Sequence, residues 1–175
     1  MYEIMGERLV RLLDTISADA AEKVEKRVIE LAEKDSVRPI HFIITSPGGP
    51  VPLGFRLYDF LRFFRRPELH TIVFGEANSM AVLVFMAGDR RLMSQSATLN
   101  LHRFIRHAEN DFNGEELKTM GEDLLAAEQQ YAEIITRLSG GKMTQELVRE
   151  MMKREIRLSA KEAFEFGLAH EILEE

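Results

Sequence analysis

Ser79 is the residue whose surroundings most invite chemistry. It stands in GEANSMAVLVFMAG (75–88), a lone hydroxyl on an apolar run between two acids, Glu76 and Asp89. A serine that begins a helix can cap the first free backbone N–H groups. It can also act as a nucleophile, with the N–H of Met80 and the positive helix end placed to hold an oxyanion. Spacing alone does not choose. A nucleophilic serine needs a base, normally histidine, and an acceptor that orients the base. Of the five histidines, His41 and His70 stand at strand entrances, His107 lies in a polar excursion and His170 near the C-terminus, all with surface or packing explanations. His102 ends LNLH, in the same expected sheet as the strand before Ser79, and reads either as a base or as a polar residue closing a strand. The acids are too numerous for charge counting to select one.

SPGGP (46–50) is the second candidate element. Its glycines allow a backbone that side chains would block, and its prolines fix the chain on either side. It reads as a tight strand-to-helix turn or as half of an oxyanion hole. Other chemistries lack their residues. There is no HExxH motif, the pairs His102/His107 and His70/His102 have no carboxylates at helical spacing, and cysteine is absent, so no metal or disulfide is expected. SPGGP is not followed by Gly-Lys-Ser/Thr, so no nucleotide cofactor is expected either.

Elements at the expected places would position these residues. RLVRLLD (8–14) suits a strand, and Ser17 or Asp19 can cap an amphipathic helix to about Glu33. HFIITS (41–46) is a buried strand ended by the glycine turn, Pro52 to Phe64 a second helix, and HTIVFG (70–75) the next strand, a β-α-β alternation. The Ser79 helix follows, then short strands near Arg91–Met93 and Thr98–His102. Beyond the excursion RHAENDFNG, apolar residues from Leu117 to Leu138 recur at three- and four-residue steps. They predict a long helix over 115–138 that stops at Gly140 and Gly141, with a stripe that needs a partner, such as another subunit. The tail reads as a helix (145–154), a Ser159 cap before AKEAFEFG, and a last strand in AHEIL.

The chain suits one domain with a real core, being 45% apolar over 175 residues. Acids outnumber bases 29 to 23 for a formal charge of −6, and the basic residues are interspersed with acids, which argues against a nucleic-acid surface. The apolar run from Ala77 to Gly88 falls short of the roughly 20 residues of a membrane span. MYEIMGERLVR has no signal-peptide profile. A soluble, cytoplasmic protein is expected.

Three segments together resemble the ClpP family of serine peptidases, the proteolytic subunits that partner ATP-driven unfoldases. They are ITSPGGPVPLGFRLYDFLRFF, TIVFGEANSMA and RLSAKEAFEFGLAHEIL, similar in order and spacing to the family's SPGGxVxxGxxIYD, GxAxSM and LSAxEAxxxGLxDxI. The resemblance implies an α/β fold of the ClpP/crotonase type, a spiral of β-β-α units with a long projecting handle helix. It implies one peptidase domain over 1–175, with a head of about 1–104 and 155–175 and a handle of about 105–154. Residue by residue, it implies Ser79 as nucleophile, His102 as base, Gly49 and Met80 as oxyanion donors, and Glu155 at the place where the family has an aspartate. It implies peptide or unfolded-protein substrates, self-association into two stacked heptameric rings, and an ATP-dependent unfoldase as partner. Against that partner stand the polar residues His41 and Ser94 on the family's hydrophobic docking surface. Asn78 replaces a small residue, Ala81 a glycine or proline, and Arg103-Phe104 the Gln-Pro that usually follows the histidine; IRHAENDFNG replaces a glycine-rich substrate strand. Glu155, Asn78 and the altered residues after His102 motivate a second reading, a non-catalytic ring subunit or scaffold. A third is a crotonase-type acyl-CoA enzyme, since SPGG is shared with that group.

Overall fold

The computed structural model describes residues 2, 4–105 and 111–174. His107 and most of the polar excursion lie outside the described residues. The first half realises the expected alternation: β1 (Leu9–Leu12), α1 (Ala18–Lys34), β2 (Ile40–Ser46), α2 (Val51–Phe63) and β3 (Leu69–Asn78). Ser17 rather than Asp19 is the cap of α1, its hydroxyl accepting from the Ala20 N–H. Helix α1 buries Val24, Val28 and Leu31. β2 is buried along nearly its whole length, as a parallel strand covered on both faces must be.

β3 runs three residues beyond the Gly75 at which the sequence pattern ends, and the reason is a change of neighbour. His70–Val73 pair in parallel with β4 (Arg90–Ser94), whereas Glu76–Asn78 pair with β5 (Thr98–Leu101). Gly75 lies between the two registers at φ +77°, a conformation open to glycine. The bend therefore delivers Asn78, and Ser79 after it, to the side of β5. There the Ser79 N–H donates to the Asn100 carbonyl at 2.9 Å.

Helix α3 (Met80–Met86) is buried at every residue. After β5 come α4 (Gly114–Leu138), α5 (Gln145–Lys153), β6 (Ile156–Ser159), α6 (Ala160–Glu165) and β7 (Glu171–Leu173). β6 is not apparent in the sequence because its four residues bury only Leu158, too little for an alternating pattern. Its partner reveals it: β6 lies antiparallel to β5, with Leu101 opposite Ile156. The described strands form one sheet, in the order β1-β2-β3-β4-β7 with β5 and β6 branching from β3. This is the mixed α/β architecture expected, a largely parallel sheet with helices packed against it.

Asn113 begins α4 with a capping box, accepting from the Glu115 and Glu116 N–H groups while Glu116 reaches back. The 25-residue helix extends about 38 Å at 1.5 Å per residue. Its later turns bury Tyr131, Ile134 and Ile135 in the core, while Leu117 and Leu125 of the earlier turns stay exposed. Buried Arg91 fixes the far end of this helix. Its guanidinium donates to the carbonyls of Leu138, Gly167 and Leu168, and burial lowers its pKa to about 10.

Candidate active site

Ser79 occupies the N-cap position of α3, yet its side chain makes no capping hydrogen bond. Ser17, Thr144 and Ser159 at other helix starts do cap. The difference lies in the backbone. Ser79 has φ +54° and ψ −125°, where a capping residue is normally extended. A non-glycine residue in such a region costs about 1–3 kcal/mol and persists only where its surroundings impose it. Three contacts impose it here: Ser79 N–H to the Asn100 carbonyl, Val82 N–H to the Ser79 carbonyl, and the Tyr131 hydroxyl to that same carbonyl at 3.4 Å.

The SPGG turn is pressed against this residue. Gly48 has φ +96°, and its N–H donates to Ser46 Oγ at 3.1 Å. The Gly48 carbonyl accepts from the Ile16 N–H at 2.7 Å, which ties the turn to the loop before α1. A Cβ on Gly49 would lie 2.4 Å from the Ile16 carbonyl oxygen, so glycine is required there as well. Met80 packs over the next glycine of the motif: a Cβ on Gly54 would lie 2.6 Å from Met80 Cβ. Among the described residues, the N–H of Gly49 has no hydrogen-bond acceptor. Met80 opens α3 and so lacks an acceptor one turn back.

His102 follows the last residue of β5, and its Nδ1 lies 2.6 Å from the Arg103 carbonyl oxygen. A carbonyl only accepts, so the proton is assigned to Nδ1 and the lone pair to Nε2, the tautomer a general base requires. Among the described residues, neither Ser79 nor Glu155 makes a hydrogen bond to this imidazole. Glu155 stands at the same end of this ladder, one residue before Ile156 as His102 is one after Leu101, so the two positions face each other across the antiparallel register. It is exposed and takes φ +53° immediately after α5, a helix-ending conformation that usually falls to glycine.

Ser79, His102 and Gly49 line one cavity of about 810 Å³, together with Pro47, Phe104 and Leu124. Glu155 and Met80 are not on its wall. The wall is largely apolar, with Asp123 as its carboxylate. Sequence reasoning missed Glu128, a buried carboxylate on α4 that accepts from the Phe104 N–H at 3.0 Å. Its signal was a charge at i+4 from Leu124, on the apolar face of the helix. Missed too was a second polar cluster. His41 and His70 are buried, the packing alternative, and both Nδ1 atoms meet the Tyr2 hydroxyl, at 2.9 and 2.5 Å. No group of three or more potential metal-ligating side chains occurs among the described residues.

Comparison with known proteins settles the family. The family model for Clp protease matches residues 1–175. The chain belongs to the Clp protease family. Two relatives from two strains of Dehalococcoides mccartyi, each named ATP-dependent Clp protease proteolytic subunit, are 28% identical over 173 residues. The match covers 98% of this chain and 84% of each relative. The Clp protease match thus includes the SPGG turn, Ser79, His102 and the strand after Glu155.

Proposed function

We propose that this Clp protease family member is a serine endopeptidase that hydrolyses peptide bonds inside an oligomeric chamber. One observation carries the reading: the Ser79 hydroxyl, at a helix N-terminus but not capping it, shares a cavity with His102 and with Gly49, whose N–H has no acceptor among the described residues. Ser79 Oγ attacks the scissile carbonyl while His102 Nε2 takes its proton. The Gly49 and Met80 N–H groups hold the oxyanion. The C–N bond then breaks as His102 returns the proton to the leaving amine, and water activated by the same Nε2 hydrolyses the acyl-enzyme. Glu155 supplies negative charge beside the imidazolium that forms.

Exposed Leu117 and Leu125 on α4 support ring assembly through the handle, with two stacked heptamers as the arrangement the family resemblance implies. Substrates are peptides or unfolded proteins, whose apolar side chains suit the cavity wall. An ATP-dependent unfoldase is a partner by analogy with the relatives' name. Ser94, partly exposed, weighs against docking by apolar contact alone, whereas His41 is buried and bonded to the Tyr2 hydroxyl. No helix among the described residues is long and apolar enough to cross a membrane; action in the cytoplasm, without nucleic acid or cofactor, is part of the proposal.

A broad peptide panel tests the reading. The intact oligomer should cleave a subset of peptides, and Ser79→Ala should abolish that cleavage without changing particle size. Cleavage that survives Ser79→Ala sinks it. A second reading, a non-catalytic ring subunit, is favoured by one feature: the His102 imidazole is engaged by the Arg103 carbonyl and not by Ser79.

A further inference from the structure

The peptide group joining Arg103 to Phe104 is bonded at both ends. Its carbonyl accepts from His102 Nδ1–H at 2.6 Å, and its N–H donates to Glu128 Oε1 at 3.0 Å. Both flanking side chains make the second bond a protected one: Phe104 is 6% exposed and Glu128 is 8% exposed. The Phe104 ring stands edge-on to Tyr131, one turn further along α4 than Glu128, at 5.4 Å between centroids. The loop after His102 is thereby clamped to the handle helix by a hydrogen bond and an aromatic contact. We propose that Glu128 is the positioning residue for His102, acting through this peptide group and so linking the handle helix to the base.

The chemistry runs in one direction. A carboxylate accepting from a peptide N–H polarises that amide, and hydrogen bonds in series strengthen one another, so the Arg103 carbonyl becomes a better acceptor for Nδ1–H. An imidazole whose Nδ1 proton is firmly held keeps its Nε2 lone pair directed one way, which is the task of the third member of a catalytic triad. Glu128 performs that task at one remove. The arrangement also accounts for a departure in the sequence. A proline at position 104, as in the Gln-Pro that usually follows the histidine in this family, has no N–H to donate. With Phe104 there, a buried N–H needs an acceptor, and leaving it unsatisfied would be costly. Phe104 and Glu128 are thus explained together.

The inference rests on His102 being the base, so its test includes a measurement independent of catalysis. Glu128→Ala should lower kcat about ten- to a hundred-fold, the scale on which small misplacements act, with KM within about twofold. Glu128→Gln, which keeps an acceptor oxygen, should restore kcat to within about threefold of the parent. Phe104→Pro removes the same hydrogen bond from the donor side, so Phe104→Pro/Glu128→Ala should be no slower than the slower single variant. Amide exchange at Phe104 should be slow in the parent and in Glu128→Gln, and at least about tenfold faster in Glu128→Ala. Unchanged exchange in Glu128→Ala, or kcat losses that multiply in the double variant, would overturn the proposal. If the parent protein cleaves nothing, the peptidase reading fails on its own, and exchange at Phe104 still decides whether Glu128 holds the loop.

Discussion

Gly48 and Ser79 touch: a Cβ built on Gly48 would lie 2.8 Å from Ser79 Cβ and 2.7 Å from the Asn78 carbonyl oxygen. The SPGG turn and Ser79 are therefore one packed unit. Gly48 also has φ +96°, so any side chain there meets strain as well as a clash. Gly48→Ala is expected to destabilise the fold by roughly 1–3 kcal/mol, read by chemical denaturation. It should also reduce peptide cleavage more than tenfold. Full activity in a stably folded Gly48→Ala protein would separate the turn from the chemistry.

Glu155 separates stability from catalysis in the opposite sense. Its left-handed backbone after α5 is one that glycine adopts without cost, whereas other residues lose about 1–2 kcal/mol there. Glu155→Gly should leave thermal stability equal or higher. If the carboxylate supplies charge beside His102, the same variant should lose kcat by about tenfold or more. Steady-state kinetics and a melting curve on one preparation decide between a helix-ending role and a catalytic one.

Much of this was legible in the chain because local rules and tertiary packing agree there. The β2 run ending at SPGG, the apolar face of α2 and the capping signal at Ser159 each produce the element they predict. What escaped depends on contacts distant in sequence. β6 exists because β5 pairs with it, and its four residues hold no pattern of their own. Whether Ser79 caps α3 is decided by its φ, which Asn100 and Tyr131 enforce from 21 and 52 residues away. The cluster of Tyr2 with His41 and His70 brings together residues 39 and 68 positions apart. No motif marks it.

That cluster predicts a pH dependence. Burial, with lesser contributions from His70 and Arg8, lowers the His41 pKa from 6.5 to about 4. In that interval the unfolded chain takes up a proton at His41 that the folded chain refuses. Stability from this site is therefore complete above pH 6.5 and falls progressively toward pH 4. Thermal melting should show a lower midpoint at pH 5 than at pH 7. The His41→Phe variant, which keeps an aromatic ring and cannot titrate, should show a smaller decline. An equal decline in both proteins would place the proton elsewhere.

The early turns of α4 predict an effect on assembly. Leu117 and Leu125 are 56% and 60% exposed, while the later turns of the same helix are buried in the core. Leu117→Glu/Leu125→Glu should reduce the particle mass seen by light scattering at unchanged helical content. Retention of the parent's mass would move the interface off this face.

The proposed role of Ser79 is tested by a fluorophosphonate probe on the intact assembly, with the adduct located by peptide mass mapping. Modification should fall on Ser79, and it should vanish in Ser79→Ala and be strongly slowed in His102→Ala. Peptide cleavage should be lost in proportion to labelling. An oligomer that carries no adduct at Ser79, or that is labelled there and still cleaves peptides at the parent rate, would contradict a Ser79–His102 mechanism.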